Sequence, residues 1–232
     1  MRLDQTQTIP NPKPKSASNP LWCVAIATCI AAAVCQTGCL GVASQVMRVA
    51  GMNLIPAEYE GLNKSTVAIV TMTDSSQYTN DSAARDLSRR VGAELTTEGK
   101  DITLIREDLV QQYRDVHGYE SNDFVEIGKE VKADKVLVIE MTDLSLRDGA
   151  TLFQGSADIH LQVVDVATGE SVYTQNIDQY TFPKSTGQHT SETTEKRFTK
   201  LYLTMLSKEI GRKFRAWDPT ETVAQDVLIA SQ

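Results

Sequence analysis

Carboxylate side chains cluster after, or at the end of, two apolar runs of the sequence. They are Asp74, Asp81, Asp86, Glu140 and Asp143. Open α/β sheets bind ligands beyond the carboxyl ends of their strands, and paired carboxylates can act as general acid and base. A small-ligand-binding protein, or a hydrolase with a site near Asp74 and Glu140, is therefore one hypothesis. Helix capping and turn formation explain the same residues without any ligand.

No catalytic motif accompanies these carboxylates. The sequence has no Walker loop, no G-x-G-x-x-G after a strand, no H-E-x-x-H and no G-x-S-x-G. Its three histidines, His117, His160 and His189, have spacings that match no metal-ligand motif. Ser75 and Ser76 lack an evident base. We therefore predict a non-enzymatic protein with no catalytic residue, no cofactor and no metal site.

Cysteine is confined to one apolar segment near the start of the chain. All four cysteines fall within residues 23–39, so no disulfide, thiolate metal site or cysteine nucleophile is expected downstream. The apolar core follows Arg2, Lys13 and Lys15, which is the layout of a secretory signal. Its ending, Thr37-Gly38-Cys39, is similar to a bacterial lipobox, whose cysteine receives diacylglycerol and becomes the new N-terminus. We predict lipidation at Cys39.

Two other interpretations of this segment stay open. Gln36 stands where the lipobox pattern has an aliphatic residue. The apolar core is shorter than the roughly 20 residues of a spanning helix, but small and apolar residues continue beyond it, so an uncleaved anchor is one alternative. Simple secretion is the other. Leu40 stands where some lipoproteins carry an aspartate that retains them in the inner membrane, which favours the outer membrane, facing the periplasm.

The body of the chain is acidic. Beyond residue 38 it has 20 Lys and Arg against 29 Asp and Glu, a net charge near −9. Nucleic-acid binding needs a basic surface, so no nucleic-acid partner is expected. Electrostatic attachment to anionic lipid is disfavoured for the same reason. Membrane attachment is therefore expected through Cys39 or the apolar segment.

Hydrophobic periodicity predicts the elements that position these residues. Continuous apolar runs predict strands, spacings of three and four predict amphipathic helices, and strict alternation over 153–163 predicts a strand with one dry and one wet face. The predicted strands are 66–72, 102–106, 135–141, 153–163 and 171–182, and the predicted helices are 82–98, 107–117, 123–131 and 192–217. The fold class is α/β (α+β), a two-layer mixed sheet with helices on one face, in the order β-α-β-α-α-β-β-β-α.

The predicted organisation has four parts. Residues 1–39 form the signal peptide with its lipobox-like end, 40–64 a linker, 65–217 the α/β domain and 218–232 a C-terminal tail. The basic residues of the last helix are interpreted as a solvated face near the helix C-terminus. They are Lys208, Arg212, Lys213 and Arg215.

Two motifs carry a resemblance to a known envelope domain. They are Lys132–Val136, leading into the third strand, and Asp165–Glu170, which forms a hairpin turn. With the β-α-β-α-β opening, they resemble the small α/β domain of the TolB amino-terminal region, also found in the curli-secretion lipoprotein and in lipoprotein activators of peptidoglycan synthases. The chain is also similar to uncharacterised lipoproteins of Planctomycetes-type bacteria. The resemblance implies a non-catalytic accessory protein that acts through an envelope protein partner, with an oligomeric state that no motif specifies.

Overall fold

The described part of the chain comprises five ranges. A computed structural model gives residues 54–74, 82–97, 101–118, 123–184 and 187–220. Cys39 and the rest of the predicted signal peptide lie outside these ranges, as do Ser75, Ser76 and Asp81.

The parallel half of the sheet is built from apolar, β-branched runs. β1 (Thr66–Thr73) pairs in parallel with the two-residue strand β2 (Thr103–Leu104) on one side and with β3 (Lys135–Ser145) on the other. All four residues from Val67 to Val70 are buried, because both faces of this half are covered. The strands that continuous hydrophobicity predicts here are confirmed.

The antiparallel half continues from β3. β5 (Gly155–Asp165) pairs with β3 and with β6 (Ser171–Phe182), so the strand order is β2-β1-β3-β5-β6. β4 (Leu152–Phe153) and β7 (Gln188–His189) form a separate two-stranded sheet. Along β5, buried residues alternate with half-buried ones almost to its end, which confirms the predicted dry and wet faces.

Asp165 organises the turn between β5 and β6. Its Oδ2 lies 2.8 Å from Nζ of Lys135, and its Oδ1 accepts the backbone N–H groups of Ala167 and Thr168 at 3.0 and 3.1 Å. Gly169 completes the turn with a φ of 76°, a conformation that glycine adopts at little cost. The hydrogen bonds from Lys135 and Thr168 hold the pKa of the Asp165 carboxyl below its usual value.

One face of the sheet carries the larger core. α1 (Ser82–Thr96) and α4 (Glu195–Phe214) pack there, with Thr194 capping α4 by accepting the N–H of Arg197. α1 contributes buried apolar side chains four residues apart, and α4 contributes a longer stripe. These side chains are Leu87, Val91 and Leu95 from α1, and Phe198, Tyr202, Leu206, Ile210 and Phe214 from α4.

A second, smaller core lies on the opposite face of the parallel half. α2 (Glu107–His117) and α3 (Phe124–Glu130) cover it, and their Val110 and Ile127 belong to the same cluster as Val70 and Val138. The expectation that all helices share one face is therefore corrected for these two short helices. Apolar spacing shows that a helix packs against something, but it does not show which face of the sheet receives it.

The α+β class, the mixed sheet and the predicted order of the main elements are confirmed. The additions are the two-residue strands β4 and β7, which are too short to produce a periodic pattern. Within the described ranges, none of the helices combines the length and the apolar character that crossing a bilayer requires.

Residues 54–63 pack against the domain, although they fall within the predicted linker. Leu62 is buried in the main core. The N–H of Tyr59 donates to the carbonyl of Lys213 at 2.9 Å, and Ile55 forms an antiparallel bridge with Trp217. No regular periodicity in the sequence indicates this packing, because the contacts are made one residue at a time.

α4 is fixed to the antiparallel half by one close contact. The ring of Tyr202 lies directly on the backbone of Gly155, where a Cβ would be 2.1 Å from Cδ2 of that ring. The Tyr202 hydroxyl donates to the carbonyl of Tyr180 in β6 at 3.0 Å. Only glycine leaves room for this ring, so the helix and two strands meet at Gly155.

Gly155→Ala is expected to destabilise the fold by about 1–3 kcal/mol, because the added methyl group overpacks the Tyr202 ring. Urea denaturation measures this loss. The same substitution in a Tyr202→Leu background should cost less, because the smaller side chain leaves space. An equal loss in both backgrounds would show that the ring contact is not the cause.

Tyr202 is also expected to make stability sensitive to alkaline pH. Burial raises the pKa of its hydroxyl above the ordinary value of 10.0, so the stability that the neutral group contributes is complete below pH 10 and decreases as the pH rises beyond it. The free energy of unfolding should then fall by up to about 1.4 kcal/mol per pH unit. Urea denaturation below and above pH 10 measures this dependence. The free energy of unfolding of Tyr202→Phe should fall less steeply with pH than that of the wild-type protein. Parallel pH profiles of the two proteins would contradict this assignment.

Candidate functional site

Two residues of the predicted carboxylate cluster, Asp74 and Asp143, are joined near the ends of β1 and β3. Asp74 follows β1, and its Oδ2 accepts the backbone N–H of Asp143 at 3.2 Å. Asp143 has a φ of 51° and lies where the register between β3 and β5 shifts. A non-glycine residue seldom adopts this left-handed conformation, and bulges of this kind need a partner for the freed N–H. Asp74 therefore stabilises a bulge at the end of β3.

Glu140 lies on the sheet face opposite α1 and α4. It is in register with Met72 of β1 and His160 of β5, and Nδ1 of His160 is 2.6 Å from Oδ1 of Asn176. A carboxylate beside an imidazole could transfer protons, but a sheet face is flat, whereas reactive sites are concave. Within the five described ranges, no group of three or more His, Cys, Asp and Glu residues is arranged to hold a metal ion.

Asp86 connects two helices instead of joining the other carboxylates. Its Oδ2 accepts from both Nε and Nη2 of Arg90 at 3.0 Å, and Nη1 of Arg90 donates to the hydroxyl of Thr204 in α4. The chain Asp86–Arg90–Thr204 therefore holds α1 against α4.

The other two histidines lie in different elements. His117 ends α2, as predicted, and its ring stacks on Tyr113 with the centroids 4.1 Å apart. His189 is exposed in the short strand β7. No two of the three histidines share a strand or a helix.

The interpretation of the basic residues in and after α4 as a solvated face is wrong. Arg212 and Arg215 are only 9% and 4% exposed. Nη2 of Arg215 lies 3.2 Å from Oε2 of Glu94 in α1, and Nζ of Lys213 lies 2.7 Å from Oε1 of Glu58. These acidic partners come from other segments of the chain, so the spacing of basic residues along one helix could not reveal them.

A cavity of about 290 Å³ opens between α1 and the β2 edge of the sheet. Ser88 and Gly92 of α1, Leu104 of β2 and Glu107 of α2 belong to its lining, but Asp74 and Glu140 do not. The hypothesis of a ligand site at those two carboxylates therefore gains no support from this cavity.

β6 forms the other edge of the five-stranded sheet. Among the described residues only β5 pairs with it, so one side of its twelve-residue backbone has no partner strand there. Asp178 is its single charged residue, and it has no proline or lysine, the residues that commonly protect edge strands. Gln179, with a φ of 45°, donates its N–H to Asp158 and interrupts the register, and a second register shift lies between Ser171 and Tyr173. These two irregularities leave 173–177 as the regular section.

The two sides of β6 differ in character. Tyr173, Ile177 and Tyr180 are half-buried against the main core, whereas Val172 and Thr174 on the other side are exposed. Burial and the neighbouring carboxylate of Glu58 raise the pKa of Tyr173 to about 12. An added strand would continue the sheet and cover the half-buried apolar side chains. We therefore take the outer edge of β6, in its regular section 173–177, as the candidate interaction surface.

Sequence reasoning did not identify this surface. Alternation within a strand indicates which residues face the core, but it does not tell an edge strand from an interior one. The order of the elements could have indicated that β6 is an edge strand. It is the last long strand of an antiparallel meander, and the chain leaves the sheet after it.

Comparison with known proteins gives likenesses to solved structures alone. No family model and no curated protein sequence matches the chain. The lipoprotein GNA1162 from Neisseria meningitidis is 10% identical with a TM-score of 0.42, over 63% of this chain and 98% of that one. The PelC dodecamer from Paraburkholderia phytofirmans is 12% identical with a TM-score of 0.42, over 69% of this chain and 91% of that one. The LpoB C-terminal domain from Escherichia coli is 17% identical with a TM-score of 0.32, over 50% and 82%. At these values nothing about activity, partner or assembly carries over to this chain, and the similarity to Planctomycetes-type lipoproteins stays a prediction.

Proposed function

We propose that this chain is a lipid-anchored, periplasm-facing accessory protein of the bacterial envelope, non-catalytic, that binds another envelope protein along the outer edge of β6. Cys39 is the lipidation site in this proposal, and the outer membrane is the favoured location. The observation that carries the proposal is the long, nearly uncharged edge strand on an otherwise acidic domain.

An edge strand suits a protein partner because its unpaired N–H and C=O groups can be satisfied by another extended backbone. Main-chain hydrogen bonds supply affinity, and alternate side-chain positions supply specificity. Tyr173 and Ile177 are half-buried on one face of the sheet, so a partner strand should have apolar residues at every second position, on that same face. Thr174 is exposed on the other face, so the alternate residues of the partner strand should be polar.

The non-catalytic part of the proposal is supported by the contacts of the candidate carboxylates. Asp74 holds the β3 bulge, and Asp86 belongs to the α1–α4 contact. Both roles are structural. The anchoring part is supported by the signal-like segment and by the negative charge of the body, which is unsuited to electrostatic binding of anionic lipid.

Cys39→Ala is expected to abolish lipidation. Intact mass spectrometry of the wild-type protein should show a mature species that begins at Cys39 and carries additional acyl mass. Membrane fractionation should recover the wild-type protein in the membrane. Mass spectrometry of the variant should show that it lacks the acyl mass. A variant that stays membrane-bound with residue 1 attached would identify an uncleaved anchor instead.

A photo-crosslinking amino acid at Thr174 is expected to give one discrete adduct with an envelope protein in intact cells. The matched control position is Ala167, an exposed residue of the neighbouring turn that lies off the edge, where no such adduct should form. Asp74→Asn combined with Glu140→Gln should leave the adduct unchanged, because neither carboxylate belongs to the edge. The same adduct from both positions, or an adduct of twice the mass of the chain, would contradict this surface or this kind of partner.

A further inference from the structure

Exposed apolar side chains lie where the described chain enters the domain. Leu54 and Ile55 are 43% and 41% exposed. Ile55 is bound to Trp217, just beyond α4, by two backbone hydrogen bonds of 2.9 and 3.0 Å. Ile55 and Trp217, from two distant segments, are therefore paired, and the exposed Leu54 directly precedes them in the chain.

Trp217 is held in place from the domain side. The guanidinium carbon of Arg212 lies 4.4 Å from the centroid of the indole ring, within the range of a cation–π contact. Arg212 is itself buried and pairs with Glu209 at 3.2 Å. The Trp217 side chain remains partly exposed, so the ring is oriented without being enclosed.

The position of this end along the chain restricts what can meet it. Fourteen residues separate Cys39 from Leu54, and such a stretch spans at most about 50 Å when fully extended. If Cys39 is anchored in the periplasmic leaflet of a membrane, this length keeps Leu54 within about 50 Å of that bilayer, and Leu54 is the first described residue to follow the anchor.

The chemistry of the three side chains suits the interfacial zone of a membrane. Indole rings concentrate there because they combine an apolar body with a polar N–H group. Charge does not drive the contact, since the adjacent Lys213 is already paired with Glu58 at 2.7 Å and the body is acidic overall. A tether also raises the effective concentration of the domain at the surface, so a small apolar contact is sufficient.

A protein partner fits this end less well than lipid does. Stable protein interfaces bury roughly 800 Å² on each side, which three side chains cannot supply. A bilayer needs no matching shape, and single apolar side chains partition into it independently.

We propose that Leu54, Ile55 and Trp217 form a membrane-contact surface that rests in the interfacial zone of the bilayer in which the chain is anchored. This inference rests on the proposed membrane anchoring, and it adds the orientation of the domain. The strand β6 is then free to meet a protein partner while the other end of the domain touches lipid.

The two tryptophans of the chain make a direct test possible. They are Trp22, within the predicted signal peptide, and Trp217. Mature protein that begins at Cys39 contains Trp217 alone, and a Trp22→Phe variant ensures the same if cleavage does not occur. The full-length gene product, purified in detergent, is reconstituted into phosphatidylcholine vesicles with and without brominated acyl chains, and tryptophan emission is recorded.

Brominated lipid is expected to remove roughly half or more of the Trp217 emission, because an interfacial indole lies within reach of the bromine atoms. Leu54→Ser combined with Ile55→Ser should reduce this quenching. Val116→Ser is the matched control, since Val116 is 75% exposed on α2, and it should leave the quenching unchanged. Circular dichroism confirms that each variant is folded.

The outcomes separate this inference from the proposed anchoring. Mass spectrometry of the same sample reports whether Cys39 is acylated, and flotation reports whether the protein is bound to vesicles. Bound protein with unquenched Trp217 overturns the membrane-contact surface and leaves the anchor intact. Quenching that is equal in the Leu54 and Ile55 variant also overturns it, because Trp217 would then meet lipid without those residues. Quenching of bound, unacylated protein supports the surface and contradicts lipidation.

Discussion

The contact between Tyr202 and Gly155 is the constraint on which the arrangement of the domain depends. A helix can approach a sheet closely only where the strand lacks a side chain, and at Gly155 the ring of Tyr202 occupies the space that a Cβ would take. The hydroxyl of the same residue reaches the carbonyl of Tyr180 in the next strand. One side chain thus sets the height of α4 above β5 and its position relative to β6.

A buried ion pair and a half-buried hydrogen bond then hold α4 and the residue that follows it against α1. Arg215 is almost fully buried and reaches Glu94, and Arg90 connects Asp86 with Thr204. A buried charge is costly unless it is paired, so these contacts disfavour other rotations of α4 about its axis.

Periodicity predicted the elements whose burial repeats regularly. The alternation along β5 and the spacing of Leu87, Val91 and Leu95 in α1 are direct consequences of one covered face. The face chosen by α2 and α3, the burial of Arg212 and Arg215, and the packing of Leu62 were not predictable in this way. Each depends on a residue far away in sequence, and a local pattern contains no information about that residue. For the candidate site, Asp74 lies at the end of β1 as predicted and Asp143 lies near the end of β3, whereas Asp86 lies in α1 and Glu140 within β3. The structural partner of Asp74, the N–H of Asp143, was not evident from the sequence.

α4 relates the two proposed surfaces to each other. Near its C-terminal end, Phe214 contacts Tyr173, with ring centroids 5.5 Å apart, and the chain continues to Trp217. In its N-terminal half, Tyr202 contacts Tyr180, with ring centroids 5.9 Å apart. β6 therefore runs alongside α4 from the Trp217 end towards the opposite end, over about 18 Å of helix. A partner strand paired with β6 would extend away from the membrane along this direction, so the packing of α4 would determine both where the domain meets lipid and how its partner is oriented.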